Sequence, residues 1–213
     1  MVQIMGDLES NQVIKYIDSS SPLIIEIGAY RGDDTAILLE INNSTIISVE
    51  PDPRNIPHLK GLQNRFSNLR IIERAVSDKD DDNVTFYMSQ LREDADQANF
   101  SSSILKPKLH LDQNPRIIFN QRCDVKTITL DTIHKDNNYP VIDFIWADVQ
   151  GAEHLMIKGG LNALKSTKYL YTEYSNEEIY ENEVNLEAII NMLPFMTIVK
   201  DYGTNILFKN TLL

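Results

Sequence analysis

Residues 23–35 read Leu-Ile-Ile-Glu-Ile-Gly-Ala-Tyr-Arg-Gly-Asp-Asp-Thr, and this stretch limits what the rest of the chain can be. A continuous apolar run carrying one acid, Glu26, leads to Gly28 and Gly32, and then to small and acidic residues before Ala-Ile-Leu-Leu. That succession predicts a buried strand, a tight loop and the start of a helix. Gly28 lets the backbone leave the strand in a conformation that a Cβ resists, and Gly32 lets the loop turn back beneath whatever lies above it. An ordinary strand-to-helix turn has the same outline, so a ligand must be argued from the residues around the loop.

Three kinds of cofactor are separable by chemistry. A phosphate loop requires Gly-x-x-x-x-Gly-Lys-Ser/Thr, and no such lysine follows Gly32. The dinucleotide fingerprint requires a glycine where Tyr30 stands, so that the backbone can touch a pyrophosphate. Glu26, Asp33 and Asp34 also surround the loop with carboxylates, which repel a diphosphate at the helix N-terminus. S-adenosylmethionine carries no phosphate but has a sulfonium and an ammonium, and acids suit it. A second β-rich run, residues 45–50, ends on Glu50. That places an acid about twenty residues past the glycine loop, where it accepts ribose hydroxyls and rejects a 2′-phosphate.

A chain of 213 residues suits one α/β domain over residues 1–213, with a substantial core. The single cysteine, Cys123, excludes an internal disulfide and has no metal-site spacing. A net charge of −11 and a pI near 4.8 argue against a nucleic-acid partner. Lys106, Lys108, Arg116, Arg122 and Lys126 form a basic stretch that either receives an anionic substrate or is a solvated mixed-charge surface. No basic start followed by a long apolar stretch is present, and no apolar run approaches the ~20 residues of a membrane span. The expectation is a cytoplasmic protein without a membrane partner.

Along the chain, periodicity predicts a short helix over 7–19, a strand over 23–28 and a helix capped by Asp33 or Asp34 that runs through Glu40. A strand over 45–50 and a helix opened by Pro53 follow, then a strand over 69–74. Ala75 and Val76, just past that strand, leave room for a flat ring on the backbone, with Asp78 as a polar neighbour. Residues 80–83 form a turn and 84–88 an added strand. Residues 91–123 break the pattern: they are polar, contain Ser101-Ser-Ser and Pro107 and Pro115, and are too long for a connector. Such an insertion makes a lid or a substrate wall, or else a mobile surface loop.

Order returns with a strand over 125–131, a second long apolar run over 141–149 and a helix over 151–158 stopped by Gly159-Gly160. A strand over 168–174, a helix over 184–192 and a hairpin of 195–200 with 204–209 complete the chain. The alternation predicts an α/β fold, a doubly wound Rossmann-like sheet, mostly parallel with an antiparallel C-terminal hairpin. Such sheets bind ligands at the carboxyl ends of their strands.

Two further acids fall at strand ends, Asp148 and Glu173. Methyl transfer from a sulfonium to a hydroxyl needs alignment of sulfur, carbon and oxygen, and a base or metal to take the hydroxyl proton. Asp148 is the first choice for that role and Glu173 the second. Asp148 equally suits a helix cap, and Glu173 a solvent-facing acid. The two can also hold Mg2+ through oxygen ligation, so metal dependence stays open, as does a homodimer. His58, His110, His134 and His154 lack zinc spacing; His154 is either an alternative base or a polar surface or cap residue. No Gly-x-Ser-x-Gly elbow is present.

Glu26-Ile-Gly-Ala-Tyr-Arg-Gly, Val49-Glu-Pro-Asp-Pro, Arg74-Ala-Val-Ser, the Ser102-Ser103 pair, Thr129-Leu-Asp-Thr-Ile, Asp148-Val-Gln-Gly-Ala-Glu, Thr172-Glu-Tyr and Asn205-Ile-Leu-Phe, taken in order, resemble the FkbM family of S-adenosylmethionine-dependent methyltransferases. The resemblance implies a class I methyltransferase fold, a seven-stranded sheet of order 3-2-1-4-5-7-6, and O-methylation of sugars or of hydroxyls on polyketide-like natural products. Residue by residue it puts the methionine part of the cofactor on Glu26, Gly28, Ala29 and Gly32, and the ribose on Glu50. The adenine falls near Pro51, Ala75 and Val76, and the reaction centre near Ser103 and Asp148; Tyr30 and Thr35 complete the loop. Trp146 stands where many members carry a lysine two residues before the motif aspartate.

The leading expectation is an O-methyltransferase acting on a small hydroxylated acceptor, a saccharide or glycosylated metabolite. A nicotinamide-dependent oxidoreductase, against which Tyr30 speaks, and a non-catalytic S-adenosylmethionine-binding module stay open.

Overall fold

The structure is a computed structural model and describes residues 12–98, 100–137 and 140–213. Most of the helix expected over 7–19 lies outside the described residues; the part within them holds a 3-10 turn, Ile14–Tyr16. The strands are β1 (Leu23–Ile27), β2 (Thr45–Val49), β3 (Leu69–Ile72), β4 (Ala75–Val76), β5 (Asn83–Leu91), β6 (Asp94–Ala98), β7 (Ile117–Ile128), β8 (Ile142–Ala147), β9 (Thr167–Glu173), β10 (Met196–Asp201) and β11 (Asn205–Asn210). The helices are α1 (Asp33–Leu38), α2 (Ile56–Gln63), α3 (His110–Gln113), α4 (Leu130–Asn137), α5 (Glu153–Lys158), α6 (Leu161–Lys165) and α7 (Leu186–Met192).

A seven-stranded sheet runs β10-β11-β9-β8-β1-β2-β3, which is the order that the family resemblance implies. It is parallel from β3 to β9, and β11 joins β9 and β10 antiparallel. β1 and β8 are central and buried along their whole length, which is why both read as unbroken apolar runs. Alternate residues feed two cores. Ile25, Ile27 and Ile145 pack with Met156 and Ile157 on one face, while Ile24, Phe144, Trp146 and Tyr171 pack on the other.

A second sheet, of order β4-β7-β5-β6, stands beyond the end of β3. It corrects the expectation of an irregular 91–123 segment, because β6, α3 and the first half of β7 fall inside it. β7 pairs with β5 from Lys126 back to Ile117, and its Asn120, Gln121, Arg122 and Asp124 face solvent. Those polar positions hide the strand pattern. The strand expected over 125–131 stops at Ile128, because the Thr129 hydroxyl accepts the Thr132 N–H at 3.1 Å and starts α4.

Other boundaries move for local reasons. α1 is entered through Gly32 at φ 88, with neither Asp33 nor Asp34 as the cap, and it ends at Leu38 rather than Glu40. The Arg54 N–H donates to the Asp52 carboxylate at 2.9 Å, so residues after Pro53 form a turn and the proline in the first turn of α2 is Pro57. Gln150 and Gly151 have φ of 52 and 89, conformations a right-handed helix excludes, so α5 starts at Glu153. Among the described residues no helix is long and apolar enough to cross a membrane.

Candidate active site

The carboxyl ends of β1, β2 and β8 open on a cavity of about 760 Å³, within the range of small-molecule sites. Gly28 is the hinge of its floor. Its φ is +85, and a Cβ there would lie 1.8 Å from the Asp148 carbonyl oxygen, so only glycine lets β1 end against β8 this closely. The Gly28 and Ala29 N–H groups both donate to the Val49 carbonyl, at 2.9 and 3.2 Å. Tyr30, held at φ 49, donates its N–H to Glu50 Oε2 at 2.7 Å. Glu50 Oε1 accepts the Asp52 N–H at 2.8 Å and Asn55 Nδ2 at 3.3 Å. Burial nevertheless pushes the Glu50 carboxyl up to about 8.

Gly28, Ala29, Tyr30, Glu50 and Pro51 line this cavity, as do Ala75, Val76, Ser103 and Asp148. Asp33 and Asp34 border it too. Glu26, Gly32 and Thr35 sit beneath the loop instead. Glu26 is buried and accepts Thr35 Oγ1 at 2.5 Å and Ser48 Oγ at 2.6 Å, which ties α1 and β2 to the end of β1. Burial raises its carboxyl to about 7, against the pull of those two hydroxyls. A Cβ on Gly32 would come within 2.6 Å of the Leu62 side chain, so that glycine serves the packing of the loop on α2.

Asp148 and Glu173 are brought together by a residue that sequence reasoning left without a role. The Gln150 amide nitrogen donates to Asp148 Oδ1 at 2.7 Å and to Glu173 Oε2 at 2.8 Å. Asp148 borders the cavity, and Glu173 stands behind it. Glu153 is buried, accepts the Val149 N–H at 3.2 Å, and is raised to about 8 by burial. Burial, and then the charges of Asp148 and Glu153, hold the Glu173 carboxyl well above its ordinary range. Oxygens of Asp148, Glu153 and Glu173 lie within 4.8 Å of one another, a spacing compatible with a cation. The Gln150 amide already takes Asp148 Oδ1 and Glu173 Oε2, so magnesium bridging those two oxygens does not fit. His154 is buried on α5, does not border the cavity and bonds the Gly151 backbone, which fits a cap residue rather than a base or a surface residue.

The second sheet supplies the facing wall. The Ser103 hydroxyl donates to the Gln150 carbonyl at 2.8 Å, and the Arg54 guanidinium bridges Asp52 at 2.6 Å to the Ser89 carbonyl at 3.1 Å. Phe100, 64% exposed, lies with its ring 4.6 Å from that of Tyr30 at the cavity margin. It was not foreseen, since an aromatic in a polar run leaves no periodic signal. Trp146, 8% exposed and the only tryptophan, also borders the cavity. The basic stretch disperses. Lys106 and Lys108 pair with Glu181 and Glu178, Lys126 donates to the Asp81 carbonyl, and Arg122 lies over the Tyr87 ring.

Residues 26–205 match the family model described as the methyltransferase FkbM domain. The 2-O-methyltransferase NoeI of Sinorhizobium fredii (strain NBRC 101917 / NGR234) is 32% identical over 205 residues, covering 94% of this chain and 84% of its own. An rRNA methylase from Streptococcus thermophilus superposes with a TM-score of 0.52 at 9% identity, over 99% of this chain and 98% of that one. The N-terminal domain of EvdMO1 with S-adenosylhomocysteine bound has a TM-score of 0.52 at 9% identity, over 95% of this chain and 79% of that one. At such identities the two structures share the fold alone.

Proposed function

Since the chain belongs to the FkbM family of methyltransferases, we propose that it is an S-adenosylmethionine-dependent O-methyltransferase whose acceptor is a hydroxyl of a saccharide or glycosylated small molecule. The observation that carries this reading is the position of Asp148, an acid that lines the cavity and whose main chain lies directly against the Gly28 turn. The relative's name, a 2-O-methyltransferase, supports oxygen as the acceptor atom. The net charge of −11 favours a small acceptor over a nucleic acid.

S-adenosylmethionine, when bound, supplies a methyl group on a positively charged sulfur. Asp33 and Asp34 give the cavity a negative rim that attracts such a cation and repels a diphosphate. Glu50, with one acceptor site left beyond its three protein donors, would accept a ribose hydroxyl, and Pro51, Ala75 and Val76 offer an apolar bed for the adenine. The 91–123 segment acts as the acceptor wall, with Phe100 on Tyr30 as an aromatic surface for the apolar face of a sugar ring. Asp148 takes the proton of the acceptor hydroxyl as the new C–O bond forms and the C–S bond breaks.

Asp148→Asn tests the reading. It should lower kcat by about 100-fold or more, as loss of a general base does, while S-adenosylhomocysteine affinity stays within a factor of about three by calorimetry. Full turnover in this variant, with the methyl ether identified by NMR, would remove Asp148 from the chemistry.

A further inference from the structure

Gln150 makes four polar contacts that converge on the proposed reaction centre. Its amide nitrogen has two hydrogens, and each meets one carboxyl group, Asp148 Oδ1 at 2.7 Å and Glu173 Oε2 at 2.8 Å. Its Oε1 lies 3.0 Å from the Tyr180 hydroxyl, which is also 2.8 Å from the Ser101 carbonyl, so a single proton serves both acceptors. Its main-chain carbonyl accepts the Ser103 hydroxyl at 2.8 Å. The backbone is held at φ 52, a left-handed conformation that a non-glycine residue seldom adopts and that persists only where its surroundings enforce it. Gly151, at φ +89, allows the turn: a Cβ there would press on Tyr180 at 3.0 Å and on Glu183 at 3.2 Å.

The chemistry of this arrangement resembles that of a metal bridge. Two carboxyl groups at neighbouring strand ends resist ionising together, and burial, with the hydrogen bond to Asp148, holds Glu173 well above its ordinary range; a cation between them is the alternative way to relieve the pair. Here a neutral amide occupies the bridging position, and the orientation of its nitrogen toward the acids is reinforced by the tyrosine hydroxyl on its oxygen. The same residue reaches the wall through Ser103 and, by way of Tyr180, through Ser101.

We propose that Gln150 is the positioning residue of the acid pair. Its amide holds Asp148 and Glu173 where a divalent cation would otherwise hold them, so that methyl transfer needs no such ion, and its other contacts fix that geometry to the acceptor wall. The inference rests on the reading of Asp148 as the base.

Two measurements test it, the first independent of any acceptor. Mn2+ titrated into the wild-type protein with saturating S-adenosylhomocysteine, followed by electron paramagnetic resonance, should show no site that Asp148→Asn abolishes. A millimolar or tighter site lost in that variant overturns the proposal, whatever the protein methylates. In the second, Gln150→Leu keeps the size but removes both N–H groups, and Gln150→Glu replaces the nitrogen by oxygen. Each should lower kcat by about 10- to 100-fold, the usual consequence of losing an orienting partner. S-adenosylhomocysteine affinity should stay within about threefold, which shows that the fold survives. Added Mg2+ should restore part of the loss in Gln150→Glu and none in Gln150→Leu, a response that a merely structural role would not give. Wild-type kcat in Gln150→Leu, or full metal-free activity in Gln150→Glu, contradicts the proposal. Absence of turnover in the wild type with every acceptor would instead sink the function, leaving the Mn2+ result to judge Gln150.

Discussion

Glu26, Glu50 and Glu153 are carboxyl groups held out of water, raised to about 7, 8 and 8 respectively, in each case chiefly by burial. The unfolded chain releases their protons near the ordinary glutamate value, whereas the native protein keeps them until these higher pH values. Between about pH 4.5 and 8 the native state therefore binds more protons, so these groups contribute stability that is complete at low pH and is lost as pH rises through the native values. The expected outcome is a Tm that falls by several degrees from pH 5.5 to 8.5, with a smaller fall in Glu50→Gln, which removes one titrating group. Thermal scans check this, and an equal or steeper fall in the variant contradicts it. Glu26 and Glu50 were visible in the sequence as acids in an apolar run and at a strand end, and Glu153 only as the last residue of a family block. Their protonation was not, because it depends on burial that only the packed strands create.

At the scale of elements, β1 and β8 were legible because central parallel strands are buried on both faces and leave unbroken apolar runs. β7 was half legible. Its buried end, Val125 to Ile128, follows the expected pattern, while Asn120, Gln121 and Arg122 look like a loop because one face of the second sheet meets solvent. That sheet matters to the site through Phe100, whose ring meets Tyr30. Phe100→Ala should raise the KM of a methyl glycoside acceptor by about tenfold, the ~1.4 kcal/mol expected of one aromatic contact with its buried area. S-adenosylhomocysteine binding, read from Trp146 fluorescence, should stay within about threefold. Loss of cofactor binding with unchanged acceptor KM would place Phe100 on the cofactor rather than on the acceptor.

For the molecule as a whole, the strand order brings Gly28, Glu50 and Asp148 to one rim, and each was readable as the end of a strand. The contacts between Gln150, Glu173 and Tyr180 were not readable in this way, because their partners are separated by 23 and 30 residues and meet only through folding. Glu50 is the cavity residue on which the account depends most. It is tested most directly by calorimetric titration of the wild-type protein and Glu50→Gln with S-adenosylhomocysteine, with NADH as the control ligand. The account predicts that the wild type binds S-adenosylhomocysteine and not NADH, and that Glu50→Gln binds at least about tenfold more weakly, because the amide turns one of two accepting oxygens, each already facing a backbone N–H, into a donor. Absence of binding, or equal affinity in the two proteins, would contradict it.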